Sequence, residues 1–545
     1  MKALISYPPL NTAKGIPLLS QNRQFQYFKK PTFIYPVVPA TAATLLKKAG
    51  YDVLWNDCIA GGFGYSVANH CPPAGGRSLD EFYDFIVKEK PDLIALETKT
   101  PVIQEHWRII DNLKRLETGD WRLATILFGD HVTALPEESF QNSRVDYVLT
   151  GGDYDFLLLN LCDYLSGRRN TDDGRQMSLE PGIYYRENGQ IKNTGKFRLN
   201  HDLDGLPFID RDLTQWQNYA YENGNYKRTP GTYIMSSRDC WWAKCTFCSW
   251  PVMYNRFRSR SVQNVLDEIG SLINGYSVKE IMDDSGTFPA GEWLKDFCQG
   301  MIERGYSKKI NFDCNMRFGA LSESEYRLMK KAGFRLLLFG LESASQNTLD
   351  RINKNIKVQE IIDSCKLARI CGLYPHITIM FGYPWESYED ALKTMKLGQW
   401  LLKKGYAYTM QATVVIPYPG SPLFEECRVN NWLKTRDWKR YDMKEPVMLG
   451  ELSDEKIMKL VRSLYGIALN PEFIVNRLLS VSSFEDISFF LRSIPRIFGH
   501  IFDFSHKPEG DGLASDSQSH KPEGDGLASD SQSHKLGRRT ECSGN

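Results

Sequence analysis

The sequence predicts an α/β protein: a doubly wound, Rossmann-like sheet, then a partial (β/α)6 TIM-type barrel, then a helical C-terminal region. Two stretches of strand–helix alternation carry that prediction, residues 1–165 and 231–425, with a polar segment between them. Such alternation argues for parallel sheets covered by helices. At 545 residues the chain has the length for two or three separate cores.

In residues 1–165 short apolar runs at 2–6, 52–55, 93–96, 124–128 and 147–149 read as strands. Amphipathic patterns at 39–49, 79–88, 103–116 and 154–165 read as the helices between them. Ligands of open sheets bind beyond the carboxyl ends of the strands. The informative loops are therefore Tyr7-Pro8-Pro9, Glu97-Thr98-Lys99-Thr100, Gly129-Asp130-His131 and Gly151-Gly152-Asp153. Residues 166–230 read as a connector without visible chemistry. They contain a β-hairpin at 182–195, where Asn188-Gly189 suits a type I′ turn, and Pro207 interrupts regular structure after it.

Strands then recur at 232–236, 280–283, 311–315, 335–339, 376–381 and 409–415, with helices at 262–274, 292–304, 323–332, 358–371 and 388–404. Six units are too few for a closed eight-stranded barrel. Residues 426–504 read as amphipathic helices. The apolar run 494–504 is expected to pack on the barrel, with contact to a membrane surface or lipid-like substrate as the other reading. From 505 to 545 the chain repeats HKPEGDGLASDSQS, a composition that cannot bury a core and predicts a disordered tail.

Charge and cysteine usage exclude several classes. Lys plus Arg is 67 against 66 acidic residues, which makes no case for a nucleic-acid partner. The twelve cysteines are scattered apart from one group, no secretory leader is read, and no apolar run spans a bilayer. A reduced, cytoplasmic protein without a transmembrane segment is expected.

The one cysteine group is Cys240, Cys245 and Cys248, a C-x4-C-x2-C array after the first barrel strand. Chemistry in barrels sits at that end of the strands. Three closely spaced thiolates can hold three corners of a [4Fe-4S] cube and leave the fourth iron open. Structural zinc would need a fourth ligand, and neither a second cysteine pair nor a histidine lies nearby. Trp241, Trp242 and Trp250 flank the array, as a shield or as ordinary aromatic burial. Arg256, Arg258 and Arg260 are expected to be solvated or paired within their domain.

With Phe247 just before the last cysteine, this stretch resembles the signature of the radical S-adenosylmethionine (SAM) superfamily. The whole chain resembles its cobalamin-binding-domain subfamily. The usual spacing there is C-x3-C-x2-C, so this loop is one residue longer, and loop closure changes slowly with one added residue. The resemblance implies a [4Fe-4S] cluster on the three cysteines and SAM at its open iron. It implies SAM contacts from Phe247, from Asp284 and Ser285 near the amino group, and from Arg317 near the carboxylate or substrate. Glu342, in GLESASQNTLDRINK, would accept from the ribose hydroxyls, and Gly382 and Ile416 would lie by the adenine. Helix capping is the alternative for Asp284 and Ser285, and surface pairing for Arg317.

The loops within 128–139 and 146–155 resemble those of the cobalamin-binding domain. They imply contacts from Tyr7, Pro8, Thr98, Gly129, Asp130, His131, Gly151 and Gly152. The D-x-H-x-x-G motif is absent, so His131 is expected as a loop hydrogen-bonder and not as a cobalt ligand. By resemblance, reductive cleavage of SAM would yield a 5′-deoxyadenosyl radical for methylation or rearrangement of an unactivated carbon. Oxidative cyclisation without methyl transfer, and a non-catalytic cobalamin or Fe-S sensor, are the alternatives. The implied partners are a small-molecule or lipid-like substrate and an electron donor such as flavodoxin or ferredoxin.

Overall fold

The structure, a computed structural model, describes residues 1–503 except 11, 13, 19–25, 31, 62–77, 169–176 and 482. The repeat at 505–545 lies outside the described residues.

The N-terminal sheet is built on β1 (Lys2–Tyr7), β2 (Asp52–Asp57), β3 (Leu93–Thr98), β4 (Ala124–Gly129) and β5 (Tyr147–Leu149), all parallel. Every residue of β3 is buried, as a central parallel strand covered by helices on both faces requires. The order β2-β1-β3-β4-β5 reverses direction at β1, so the crevice of the sheet opens between the ends of β1 and β3.

The hairpin corrects the connector reading. Its strands β6 (Ile183–Glu187) and β7 (Gln190–Asn193) join the same sheet, β6 pairing antiparallel with β5. Without it β5 would expose an open edge, and the hairpin covers it. Asn188 and Gly189 both have positive φ, 51° and 77°, as a type I′ turn demands.

The second sheet runs in chain order: β8 (Gly231–Ile234), β9 (Glu280–Asp283), β10 (Asn311–Met316), β11 (Phe334–Glu342), β12 (Tyr374–Phe381) and β13 (Thr409–Val414). All neighbours are parallel, the half-barrel that six strand–helix units can build. Serine caps set the helix starts: Ser261 accepts from Asn264 N, Ser387 from Asp390 N, and Ser322 forms a capping box with Glu325. At the N-terminal ends of the strands, away from the cysteines, Arg335 pairs with both Asp313 and Glu280 at 2.7 Å.

A buried ion cluster joins the two sheets. Arg238 reaches Asp153 at 2.7 Å and also binds Asp155, while Arg258 reaches Asp153 at 2.6 Å. His201 stands between Asp153 at 2.9 Å and Glu180 at 3.0 Å. Burial alone would raise the Asp153 carboxyl, but Arg238, His201 and Arg258 hold it well below its ordinary range. The reading of the basic run is thus corrected at Arg258, which crosses between domains because Asp153, 1% exposed, needs opposite charge. Arg260 stays within the barrel, on Glu268.

Beyond the barrel, helix Asp454–Tyr465 packs by its apolar stripe against β13. Helices Pro471–Leu479 and Phe484–Asp503 follow, and Leu479 and Phe484 are 78% and 83% exposed. Among the described residues no helix is long and apolar enough to cross a membrane.

Candidate cluster and cofactor site

β8 ends at Ile234, and a short ladder between 237–238 and 258–259 frames the loop that follows. The loop carries Cys240, Cys245 and Cys248 as free, half-buried thiols. Asp239 and Ala243 have φ of 77° and 47°, left-handed turns just before Cys240 and between Cys240 and Cys245. On the other side, a Cβ at Gly286 would stand 2.9 Å from Asp239 O and 3.0 Å from Cys240 N. Only a glycine lets the loop after β9 lie so close to the cysteine loop. Next to it, Thr287 Oγ1 stands 2.9 Å from Cys240 Sγ.

Burial pushes the Cys245 and Cys248 thiols up; Lys354 opposes this at Cys245, and Cys245 and Cys240 add to it at Cys248. Iron binding would reverse that shift, because a coordinating thiol is deprotonated. No group of three His, Cys, Asp or Glu among the described residues surrounds a single ion. A four-iron cube, whose irons occupy separate corners, needs its thiolates spread wider than one ion does. Three free thiols on one loop at the strand end are the donor set such a cube takes from cysteine.

On the facing strand ends, Glu342 closes β11 with φ of 62°, just past a register break between Gly340 and Glu342. Its Oε1 accepts from Lys354 Nζ at 2.9 Å, and the two side chains are 8% and 11% exposed. Burying that carboxylate is costly, and the ammonium offsets the cost. Lys354 was not singled out in the sequence. It lies in the same GLESASQNTLDRINK stretch, twelve residues on, and its charge could have been weighed there.

The other predicted SAM residues are distributed as follows. Asp284 and Ser285 are fully buried after β9. Ser285 Oγ accepts from Ser237 N at 2.9 Å, so it braces the strand end, and its backbone carbonyl accepts from Asn315 Nδ2 at 2.7 Å. Arg317 lies over the Trp242 ring at 4.3 Å and donates to the carbonyls of Lys354 and Asn355. It is therefore held by loop structure at a half-buried position. Phe247 and Ile416 are buried, and Gly382 turns the chain after β12 with φ of 98°.

Two more groups near Glu342 went unread. The Tyr383 hydroxyl and Glu386 Oε2 are buried without a hydrogen-bond partner. Burial lifts the Glu386 carboxyl to about 7, although its other oxygen accepts from Ser343 at 2.8 Å. Orphaned polar atoms at strand ends are what a polar ligand would satisfy.

The N-terminal loops are filled by the chain itself. A Cβ at Gly152 would stand 1.8 Å from the Tyr254 ring, and one at Gly151 would stand 2.5 Å from Phe197. Gly129, with φ of 127°, lies directly on Thr98 O. His131 is 1% exposed, with Nδ1 at 3.2 Å from Thr100 Oγ1 and Nε2 at 2.9 Å from Glu138. Both ring nitrogens have hydrogen-bond partners within the protein. Asp130 pairs with Lys99, Tyr7 donates to Glu97, and Pro8 is buried. Among the described residues, Thr98 Oγ1 is buried and unpartnered at this crevice. The Cβ sides of Gly151 and Gly152 are taken by the Phe197 and Tyr254 rings, and both His131 nitrogens by protein partners.

Residues 234–398 match the model of the Radical SAM superfamily, a span that begins at the end of β8 and includes the cysteine array and Glu342. The chain carries a radical SAM domain. That domain implies a [4Fe-4S] cluster and SAM as cofactors, in line with the three free thiols. The chain is 28% identical over 403 residues to an uncharacterized methyltransferase of Pyrococcus horikoshii, PH0819, a match covering 73% of this chain and 83% of that one. Its fold is similar to that of OxsB, a cobalamin-dependent SAM radical enzyme with aqua-cobalamin and SAM bound, at a TM-score of 0.64 and 14% identity. That likeness covers 92% of this chain and 71% of OxsB. It is also similar to the radical SAM methyltransferase TsrM of Kitasatospora setae, with cobalamin and a [4Fe-4S] cluster bound, at a TM-score of 0.61 and 14% identity. There the match covers 92% of this chain and 99% of TsrM. The radical SAM half-barrel of this chain thus sits beside a sheet arranged as in cobalamin-dependent enzymes.

Proposed function

We propose that this radical SAM protein is an enzyme of the methyltransferase type, acting on an unactivated carbon of an organic substrate. The observation that carries the reading is the convergence at one barrel end of three free thiols and the buried Glu342–Lys354 pair. A cluster held by these thiols would supply the one-electron reduction for cleavage of SAM bound beside Glu342.

The chain's own residues do the rest. Cys240, Cys245 and Cys248 hold the iron, and the Thr287 hydroxyl beside Cys240 Sγ tunes its electronics. Glu342 takes the ribose hydroxyls, with Lys354 fixing its rotamer. The buried Tyr383 hydroxyl and Glu386 Oε2 are free to meet polar atoms of SAM or substrate. Trp241, Trp242 and Trp250 keep water from the thiols. Lys244, exposed on the cysteine loop, marks where a flavodoxin- or ferredoxin-type donor would approach. A reduced, cytoplasmic setting suits the ten described cysteines, all of them free.

Cobalamin enters this reading through the shared fold. The test is anaerobic reconstitution with iron and sulfide, followed by analysis of SAM products with and without hydroxocobalamin. Formation of 5′-deoxyadenosine by the wild type and its loss in Cys245→Ala supports the reading. A loaded cluster that never binds SAM contradicts it.

A further inference from the structure

The loop from Cys240 to Cys248 rests on one side on the turn at 352–355. Four successive carbonyls of that turn accept hydrogen bonds from the vicinity of the cysteines. Ile352 O accepts from Thr246 N at 3.0 Å, and Asn353 O accepts from Trp242 Nε1 at 2.8 Å. The carbonyls of Lys354 and Asn355 both accept from Arg317 Nη2, the second at 3.0 Å. Arg317 in turn covers the Trp242 ring at 4.3 Å. Asn353 and Asn355 have φ of 54° and 49°, a left-handed backbone that asparagine tolerates better than most residues. From the middle of this turn Lys354 reaches back to Glu342.

We propose that Trp242 is a positioning residue that couples the cluster loop to the SAM-facing carboxylate. Its ring under Arg317 and its N–H on Asn353 hold the turn, and Lys354 relays that position to Glu342. Coupling of this kind is reciprocal: a loop organised by iron holds SAM more tightly, and bound SAM stabilises the loop. The inference rests on the reading above, in which Glu342 meets SAM.

The test uses the full-length chain reconstituted anaerobically, with three readouts: iron per chain, the SAM dissociation constant by equilibrium dialysis, and the EPR spectrum of the reduced cluster with and without SAM. A wild type that takes up iron but binds no SAM would sink the functional reading itself. Where the wild type binds SAM, the variants decide the coupling. Trp242→Phe keeps a smaller aromatic ring under Arg317 and removes the N–H, and SAM affinity should fall about threefold with iron unchanged. Trp242→Ala should weaken SAM about tenfold or more and diminish the SAM-induced change in the EPR signal. Lys354→Met cuts the relay, and adding Trp242→Phe to it should cost little more, because the two act in series. If Trp242→Ala does not hold iron, the Phe and Met variants carry the decision. Wild-type SAM affinity in Trp242→Phe and in any iron-loaded Trp242→Ala overturns the proposal. So does a double variant in which the two losses multiply as independent effects.

Discussion

Lys354 Nζ stands 2.9 Å from Glu342 Oε1, and the pair is buried at the open end of the half-barrel, beside the cysteine loop. Glu342 adopts its pose through a left-handed backbone just after a break in strand register. Such strain persists only where surrounding contacts over-determine it. Glu342→Gln keeps the shape and removes the charge. SAM affinity, measured by equilibrium dialysis on the iron-loaded protein, should fall about tenfold, the worth of one charge-assisted hydrogen bond.

Arg335 is 5% exposed and faces two fully buried carboxylates, Asp313 and Glu280. Arg335→Ala would leave both carboxylates without their guanidinium in the barrel interior. The loss of stability should be about 3–5 kcal/mol, read from chemical denaturation.

Much of this fold was legible locally. The helices at 103–116 and 154–165 match Ile103–Leu116 and Tyr154–Leu165 residue for residue, because their apolar positions recur at helical spacing. β11 runs on to Glu342, past the residue 339 read from sequence, since a register break hides the extension from any simple alternation. The hairpin at 183–193 was visible as a hairpin, yet its partner β5 lies more than thirty residues away and no local pattern names it. The site divides in the same way. The cysteines and Glu342 lie in contiguous motifs, whereas the Trp242–Asn353 and Arg238–Asp155 contacts join residues separated by 111 and 83 positions.

His201 makes the junction between the sheets sensitive to pH. Burial alone would lower its pKa, but the Asp153 and Glu180 carboxylates outweigh burial and raise it to about 9. A histidine of ordinary pKa, about 6.5, is the unfolded reference. Its contribution is therefore full below about pH 6.5 and is lost as pH rises through about 9. Thermal unfolding should show Tm falling across that window, and His201→Gln should flatten the fall.

The Tyr254 ring lies across the bare face of Gly152, and Met253 O accepts from Gly152 N at 2.9 Å. Removing that ring should open the face expected to meet a corrin. Tyr254→Ala should retain more hydroxocobalamin through gel filtration than the wild type, at a stability cost of about 3 kcal/mol for the truncated aromatic. Equal retention by both would show that this ring does not control access.

The most direct measurement is the fate of SAM on the reconstituted protein. Loaded anaerobically with iron and sulfide, then given SAM and a strong reductant, the wild type should release 5′-deoxyadenosine. Cys245→Ala, which removes one corner of the cluster, should release none. Equal 5′-deoxyadenosine from both proteins, or failure of the three cysteines to assemble a four-iron cluster, would contradict the account.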